Sequence, residues 1–164
     1  MTALCGKAWV YGDKIDTDLL APGPYMKAPL TELASHCLEA IDKDFAHQVA
    51  KGDVLVAGDA FGIGSSREQA AQVLVELGVS AVVAKSFARI FYRNALNLGL
   101  PVLFCPALAN VEKGDIVSVD PVSGSVVNQT KAQSFQCEPI PEELMKIVNA
   151  GGLMPFLKGR FTPQ

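Results

Sequence analysis

The sequence predicts an α/β domain with a mixed, partly parallel sheet flanked by helices. Three observations carry that prediction. Between residues 54 and 104, short apolar runs alternate with stretches of helical periodicity. This is the rhythm of parallel strands joined by right-handed crossovers. The apolar runs show no polar alternation, as expected of strands buried on both faces. Beyond residue 104 the pattern changes to short strands around Pro121-Val122-Ser123-Gly124, a hairpin signal that adds antiparallel pairing.

Residues 8–11 (Ala-Trp-Val-Tyr) read as the first strand, followed by a turn-rich segment containing Asp16-Thr17-Asp18. Pro22, Pro24 and Pro29 forbid a regular helix across the next segment and predict an irregular loop. Residues 31–40 have helical periodicity, with Leu33, Cys37 and Leu38 on one narrow apolar face. Lys51-Gly52-Asp53 is a turn, and residues 54–57 form a buried strand. A helix is predicted over residues 66–77, with Ala70, Val73, Leu74 and Leu77 inward and Gly78 as its stop. Residues 81–84 are the next strand. Ser86 is the expected cap of a helix ending near Leu98 and Gly99, and residues 101–104 return as a strand. Residues 116–119 and 125–127 form the hairpin. Residues 142–150 form a last short helix, broken by Gly151-Gly152. No internal repeat or low-complexity linker interrupts the 164 residues, so residues 1–164 are expected to form one domain.

Composition narrows the function. Hydrophobic residues make up 49% of the chain and the mean hydropathy is +0.25, the profile of a folded domain. The net charge of -3 and the lack of a basic patch argue against nucleic acid. No apolar run reaches membrane-spanning length, and residues 1–7 lack a secretory pattern. A cytoplasmic location is therefore expected. Cys5, Cys37, Cys105 and Cys137 are far apart in sequence, with no Cys-x-x-Cys pair. They are expected to be free thiols packed as small apolar residues, with no metal or iron–sulfur site made by this chain alone. His36 and His47 lie in polar helical stretches and are expected at the surface.

The most informative segment is Gly62-Ile63-Gly64-Ser65-Ser66-Arg67-Glu68. A strand turning through glycines into a helix start aims N–H groups at one point and favours an anion there. Arg67 can hold a carboxylate through two parallel hydrogen bonds. Ser65 followed by Glu68 also fits a capping box, in which the serine only satisfies backbone donors. The third glycine of a dinucleotide fingerprint is absent, as is a Gly-Lys-Ser/Thr phosphate loop.

Gly64-Ser65-Ser66-Arg67-Glu68, the segment Lys85-Ser86-Phe87-Ala88-Arg89-Ile90-Phe91-Tyr92-Arg93-Asn94 and Asp16-Thr17-Asp18 together resemble the swivel domain of the aconitase superfamily. The length, and the tail Ala150-Gly151-Gly152-Leu153-Met154-Pro155, resemble the stand-alone small subunits of isopropylmalate isomerases (3-isopropylmalate dehydratases). The resemblance implies a hydro-lyase active only with a large subunit that carries a [4Fe-4S] cluster. Its substrate would be a small 2-hydroxy dicarboxylic acid, and leucine synthesis its setting. A homo-oligomer of the isolated subunit is compatible with this reading. By motif position, Ser65 corresponds to the serine that takes the proton beside a carboxylate. Ser66 and Arg67 correspond to substrate-carboxylate ligands, Gly64 to part of the same cradle, and Asp18 to an active-site aspartate. Without the resemblance, Asp18 reads as an Asx-turn residue. Arg89 and Arg93, one helical turn apart, read chiefly as surface-pairing or structural residues.

In such proteins the loop after the aspartate selects the substrate's side group. Here it contains Tyr25, Met26 and Lys27, and no arginine occurs between Thr2 and Ser66. Tyr25 and Met26 suit an apolar substituent, whereas Lys27 could hold a carboxylate as a point charge. Ile63 and Gln69 stand where relatives commonly carry cysteine and histidine. They suggest a divergent branch acting on another alkylmalate, such as citramalate or dimethylmalate. The alternatives are a homoaconitase-like subunit and a non-catalytic module that binds a dicarboxylate for regulation.

Overall fold

The computed structural model describes residues 3–161; residues 1, 2 and 162–164 of the expected domain span lie outside the described residues. Seven strands form one sheet in the order β4-β3-β2-β1-β5-β6-β7. Strand β1 (Leu4–Val10) is its pivot. Ala8, Trp9 and Val10 pair in parallel with β2 (Val54–Ala57), whereas Leu4 to Lys7 pair antiparallel with β5 (Ile116–Asp120). Strands β3 (Ala81–Ala84) and β4 (Val102–Phe104) extend the parallel half. Strands β6 (Ser125–Asn128) and β7 (Gln133–Gln136) extend the antiparallel half. The mixed α/β architecture expected from the sequence is therefore present.

Every residue of β2 and β3 is buried, as their unbroken apolar sequences require. Strands β5 and β6 alternate instead: Val117, Val119 and Val126 enter the core while Ser118 and Ser125 do not. The sheet curls until its edges meet. Glu138 N, just past β7, donates to Phe104 O of β4 at 2.9 Å. Helices α2 (Leu30–Ser35), α4 (Gln69–Glu76), α5 (Arg89–Asn97), α6 (Glu142–Asn149) and α7 (Leu153–Phe161) pack one on the next around the parallel half. Two single-turn helices, α1 (Thr17–Leu20) and α3 (Phe45–Gln48), complete the set. Among the described residues no helix is long and apolar enough to cross a membrane.

Several expectations are corrected. The helix expected over residues 31–40 stops at Ser35, and Leu38 takes a left-handed φ of 61°. The proline-rich loop contains one 3-10 turn, Gly23–Tyr25. Helix α4 starts at Gln69 rather than Ser66, and α5 at Arg89 rather than after Ser86. Ser86 caps no helix. Its Oγ accepts from Ala60 N at 2.8 Å and donates to Asp59 Oδ1 at 3.1 Å. Phe87 stays extended to bridge Phe61, which delays the helix by several residues.

The cysteine expectation fails for two of the four. Cys105 and Cys137 form a disulfide across 32 residues, tying the two sheet edges where they meet. A loop of that length gives a chain-entropy stabilisation of about 3–4 kcal/mol. Cys37 is a buried free thiol, and burial pushes its pKa well above the ordinary thiol range. Cys5 is free and exposed. Iodoacetamide is therefore expected to label Cys5 alone in the folded protein. Unfolding should add Cys37, and only unfolding with reduction should add Cys105 and Cys137. Mass spectrometry of the labelled peptides reads this directly. Labelling of Cys105 in unfolded, unreduced protein would rule out the pairing.

Candidate active site

Three loops leave the C-terminal ends of β1, β2 and β3 and are stitched together by backbone hydrogen bonds. Gly62 N donates to Ile15 O at 2.7 Å and Thr17 N to Ile63 O at 2.8 Å. Phe61 N donates to Ser86 O at 3.0 Å, and Ala88 N to Phe61 O at 2.9 Å. Phe61, Phe87 and Phe91 pack as a cluster, with Phe61 5.1 Å from Phe91 between ring centres. Open α/β sheets bind ligands outside the carboxyl ends of their parallel strands, where strand order reverses. Here that reversal is at β1.

A cleft of about 170 Å³ opens at this point. Gly64, Ser65, Ser66 and Arg67 line one side, residues 88–91 with Asn94 line the other, and Thr17 lies between. Helix α5 begins at the cleft without a side-chain cap, so its first N–H groups are available to an anion. Complete small-molecule sites usually enclose about 300–1,000 Å³. The cleft is thus one wall of a site that needs a second surface.

Ser65 does not cap α4. The N-cap position is Glu68, in helical conformation and without a side-chain capping bond. The capping box suggested by Ser65 and Glu68 is therefore absent. A tight turn in which Arg67 N donates to Ser65 O at 2.8 Å precedes the helix instead. Ser65 is exposed, and its Oγ lies 3.4 Å from the hydroxyl of Thr17. Its hydroxyl is left for the cleft.

Arg67 is anchored by its own chain. Its Nη1 donates to Asp18 Oδ1 at 2.9 Å and to Ala21 O at 3.0 Å. Asp18 also accepts from Gly23 N at 3.1 Å. The Arg67 hydrogen bond, followed by that from Gly23, holds the Asp18 carboxyl below the usual carboxylate range. A depressed folded pKa means the pair is complete through neutral and mildly acidic pH and is lost as pH falls through the lowered value. Asp18 is not an Asx-turn residue; Asp16 fills the local capping role, its Oδ1 accepting from Leu19 N at 2.8 Å.

The structure thus brings Ser65, Ser66, Gly64 and Arg67 to one cleft, with Asp18 joined to it through Arg67. It does not bring Tyr25, Met26 or Lys27 there. The Tyr25 ring stacks on His36 at 3.6 Å and 2°, Met26 packs against the core, and Lys27 is exposed. Their segment reaches the site only through Gly23. His36 is half-buried, not simply at the surface as expected. Arg89 corrects the surface-pairing expectation: it lines the cleft and has no acidic partner among the described residues. Thr17 and Asn94 were missed altogether. The only signal for Thr17 was its place between two aspartates.

Among the described residues, no three His, Cys, Asp or Glu side chains gather as a metal site. The thiol donors do not fit a cluster either. Cys5 is exposed on β1, Cys37 is buried beside α2, and the remaining two are bonded to each other.

Residues 17–106 match the family described as the aconitase C-terminal domain. The chain is 53% identical over 156 residues to the 3-isopropylmalate dehydratase small subunit of Caldicellulosiruptor bescii, covering 94% of each protein. It is 50% identical over 155 residues to the 2,3-dimethylmalate dehydratase small subunit of Eubacterium barkeri, covering 93% of this chain and 94% of that one. The crystal structure of a 3-isopropylmalate dehydratase (leuD) from Methanocaldococcus jannaschii superposes with a TM-score of 0.91 at 45% identity. That match covers 96% of this chain and 95% of that one.

Proposed function

Because the chain belongs to the aconitase C-terminal domain family and matches dehydratase small subunits over 94% of its length, we propose that it is the small subunit of a hydro-lyase acting on an alkyl-substituted malate. The observation that carries this reading is the Ser65 hydroxyl, free of any helix cap, in a half-formed cleft beside Arg67. A pure binder of dicarboxylates needs the arginine but not an uncommitted hydroxyl placed beside it.

The reaction removes a proton from the carbon next to a carboxylate and a hydroxyl from the neighbouring carbon. Ser65 Oγ, as the alkoxide, takes the proton, and the C–H electron pair becomes the new C=C bond. A serine oxygen carries that charge only where dipoles and cations stabilise it. The uncapped start of α5, Arg67 and Arg89 supply the field. Ser66 and Arg67 hold the carboxylate, and Asp18 fixes Arg67 in place. The [4Fe-4S] cluster belongs to a partner large subunit and supplies Lewis-acid activation of the leaving hydroxyl. The cysteine arrangement of this chain and the small volume of its cleft both favour that division of labour.

An apolar substituent suits the site. Arg67 is the first arginine in the sequence, so none is available in the 25–28 loop for a distal carboxylate. Ala88 and Ile90 give the cleft an apolar side. Two relatives near 50% identity are named for isopropylmalate and dimethylmalate, so both substituents belong in the test. A cytoplasmic complex is part of the same proposal; the free Cys5 and Cys37 suit a reducing compartment, and the Cys105–Cys137 disulfide pulls against it.

The test is co-purification with the cluster-loaded large subunit and a panel of malates, read as absorbance of the unsaturated acid. Turnover of 3-isopropylmalate or 2,3-dimethylmalate is expected from the complex and none from this chain alone. Activity confined to citrate or homocitrate would overturn the apolar-substituent assignment. Dicarboxylate binding by the isolated chain, with no turnover in the complex, would favour a regulatory module.

A further inference from the structure

We infer that Thr17 is a positioning residue for Ser65, its hydroxyl donating to the Ser65 oxygen when that oxygen carries negative charge. This rests on the proposed role of Ser65 as proton acceptor. Thr17 is 3% exposed, and a hydroxyl so buried is costly unless it has a partner. Ser65 Oγ, 3.4 Å from Thr17 Oγ1, is its partner, and it has no other among the described residues.

The backbone fixes this approach from both sides. Thr17 N donates to Ile63 O, and Ala21 N donates to Thr17 O, each at 2.8 Å. Gly64 sits at a φ of 110°, and a Cβ built there would lie 2.9 Å from Thr17 Oγ1. A side chain at that position would push against the threonine hydroxyl beside Ser65. Gly64 thus keeps the space between β1's loop and β2's loop clear.

The distance itself argues for function. At 3.4 Å the contact is long for two neutral hydroxyls, whose bonds usually measure about 2.7–2.8 Å. Bonds from a hydroxyl to an oxyanion contract to about 2.5–2.7 Å and are roughly twice as strong. The contact is therefore weak while Ser65 is neutral and strong when it is charged. An interaction that strengthens only with the charge raises the population of the reactive form without tightening substrate binding. Thr17 keeps its own proton throughout. The substrate proton goes to Ser65 Oγ, and the contact then relaxes.

Thr17→Val keeps the shape and removes the donor; Thr17→Ser keeps the donor and removes a methyl. In the reconstituted complex, Thr17→Val is expected to lower kcat by about 10- to 100-fold with KM within about twofold. Thr17→Ser is expected to stay within about threefold of the parent in both. A purely structural threonine would make the two variants fall together, which overturns the inference, as does a Thr17→Val enzyme with unchanged kcat. Should Thr17→Val fail to assemble, Thr17→Ala against Thr17→Ser isolates the hydroxyl, since both lack the methyl. Equal kcat in that pair overturns the inference. Ser65→Ala separates the two levels. If it retains turnover, the role of Ser65 fails and that of Thr17 with it. If it is inactive while Thr17→Val is unaffected, only the Thr17 inference fails.

Discussion

Replacing Ser65 with alanine is expected to lower turnover of the reconstituted complex by about 10²- to 10⁴-fold, the usual contribution of a positioned general base. The substitution removes one exposed hydroxyl from a tight turn. It breaks no helix cap, because α4 begins at Gln69 without one. The folded subunit should therefore keep its melting temperature to within a degree or two, and its assembly with the large subunit should be unchanged. KM should also hold, because Arg67 stays on Asp18 and Ser66 is untouched. This separation of kcat from KM, stability and assembly is the diagnostic result. A binding serine would raise KM, and a capping serine would cost about 1 kcal/mol of stability. Normal turnover in the Ser65→Ala complex would remove the proposed mechanism.

The parallel half of the fold was legible because its determinants are local. Strands β2 and β3 are unbroken apolar runs, and burial on both faces follows from composition alone. The start of β1 was not legible. Leu4 to Lys7 alternate between half-buried and exposed positions, and their partner β5 lies more than a hundred residues away. Strand β7 is the same case, with Phe135 its one strongly β-favouring residue; it becomes a strand through its pairing with β6. Helix starts were misplaced where tertiary partners outbid local ones. Ser65 faces Thr17 and Ser86 bridges Ala60 and Asp59, so neither caps its helix. The Ser65-Ser66-Arg67 cluster was legible because it is contiguous. Thr17 and Arg89 join it only through folding. The loop of Tyr25, Met26 and Lys27 was read as facing substrate, and a stack on His36 that no local pattern announces holds Tyr25 elsewhere.

Gly62→Ala is expected to be the most damaging conservative change near the site. Gly62 sits at a φ of 82°, a conformation that costs a side-chain-bearing residue about 1–2 kcal/mol. The added Cβ would lie 2.3 Å from Phe91 Cγ and 2.4 Å from Phe91 Cβ. Phe91 is 2% exposed and stacks within the Phe61–Phe87 cluster, so its ring cannot swing into solvent. Overpacking of a buried contact adds about 1–3 kcal/mol. The total, about 2–5 kcal/mol, corresponds to a fall in melting temperature of roughly 5–15 °C for a chain of this size. Gly114 provides the matched control. It has a similar φ of 91° but nothing within 4 Å of its built Cβ. Gly114→Ala should show the backbone cost alone, and the difference between the two variants reads the Phe91 clash. Equal melting temperatures would show that the ring yields freely. The effect should reach the chemistry as well, because Phe91 lies in the first turn of α5, next to Arg89 and Ile90. Relief of the clash must move that turn away from Ser65. Gly62→Ala protein assayed well below its melting temperature should therefore show a raised KM, linking the glycine's missing side chain to the width of the cleft.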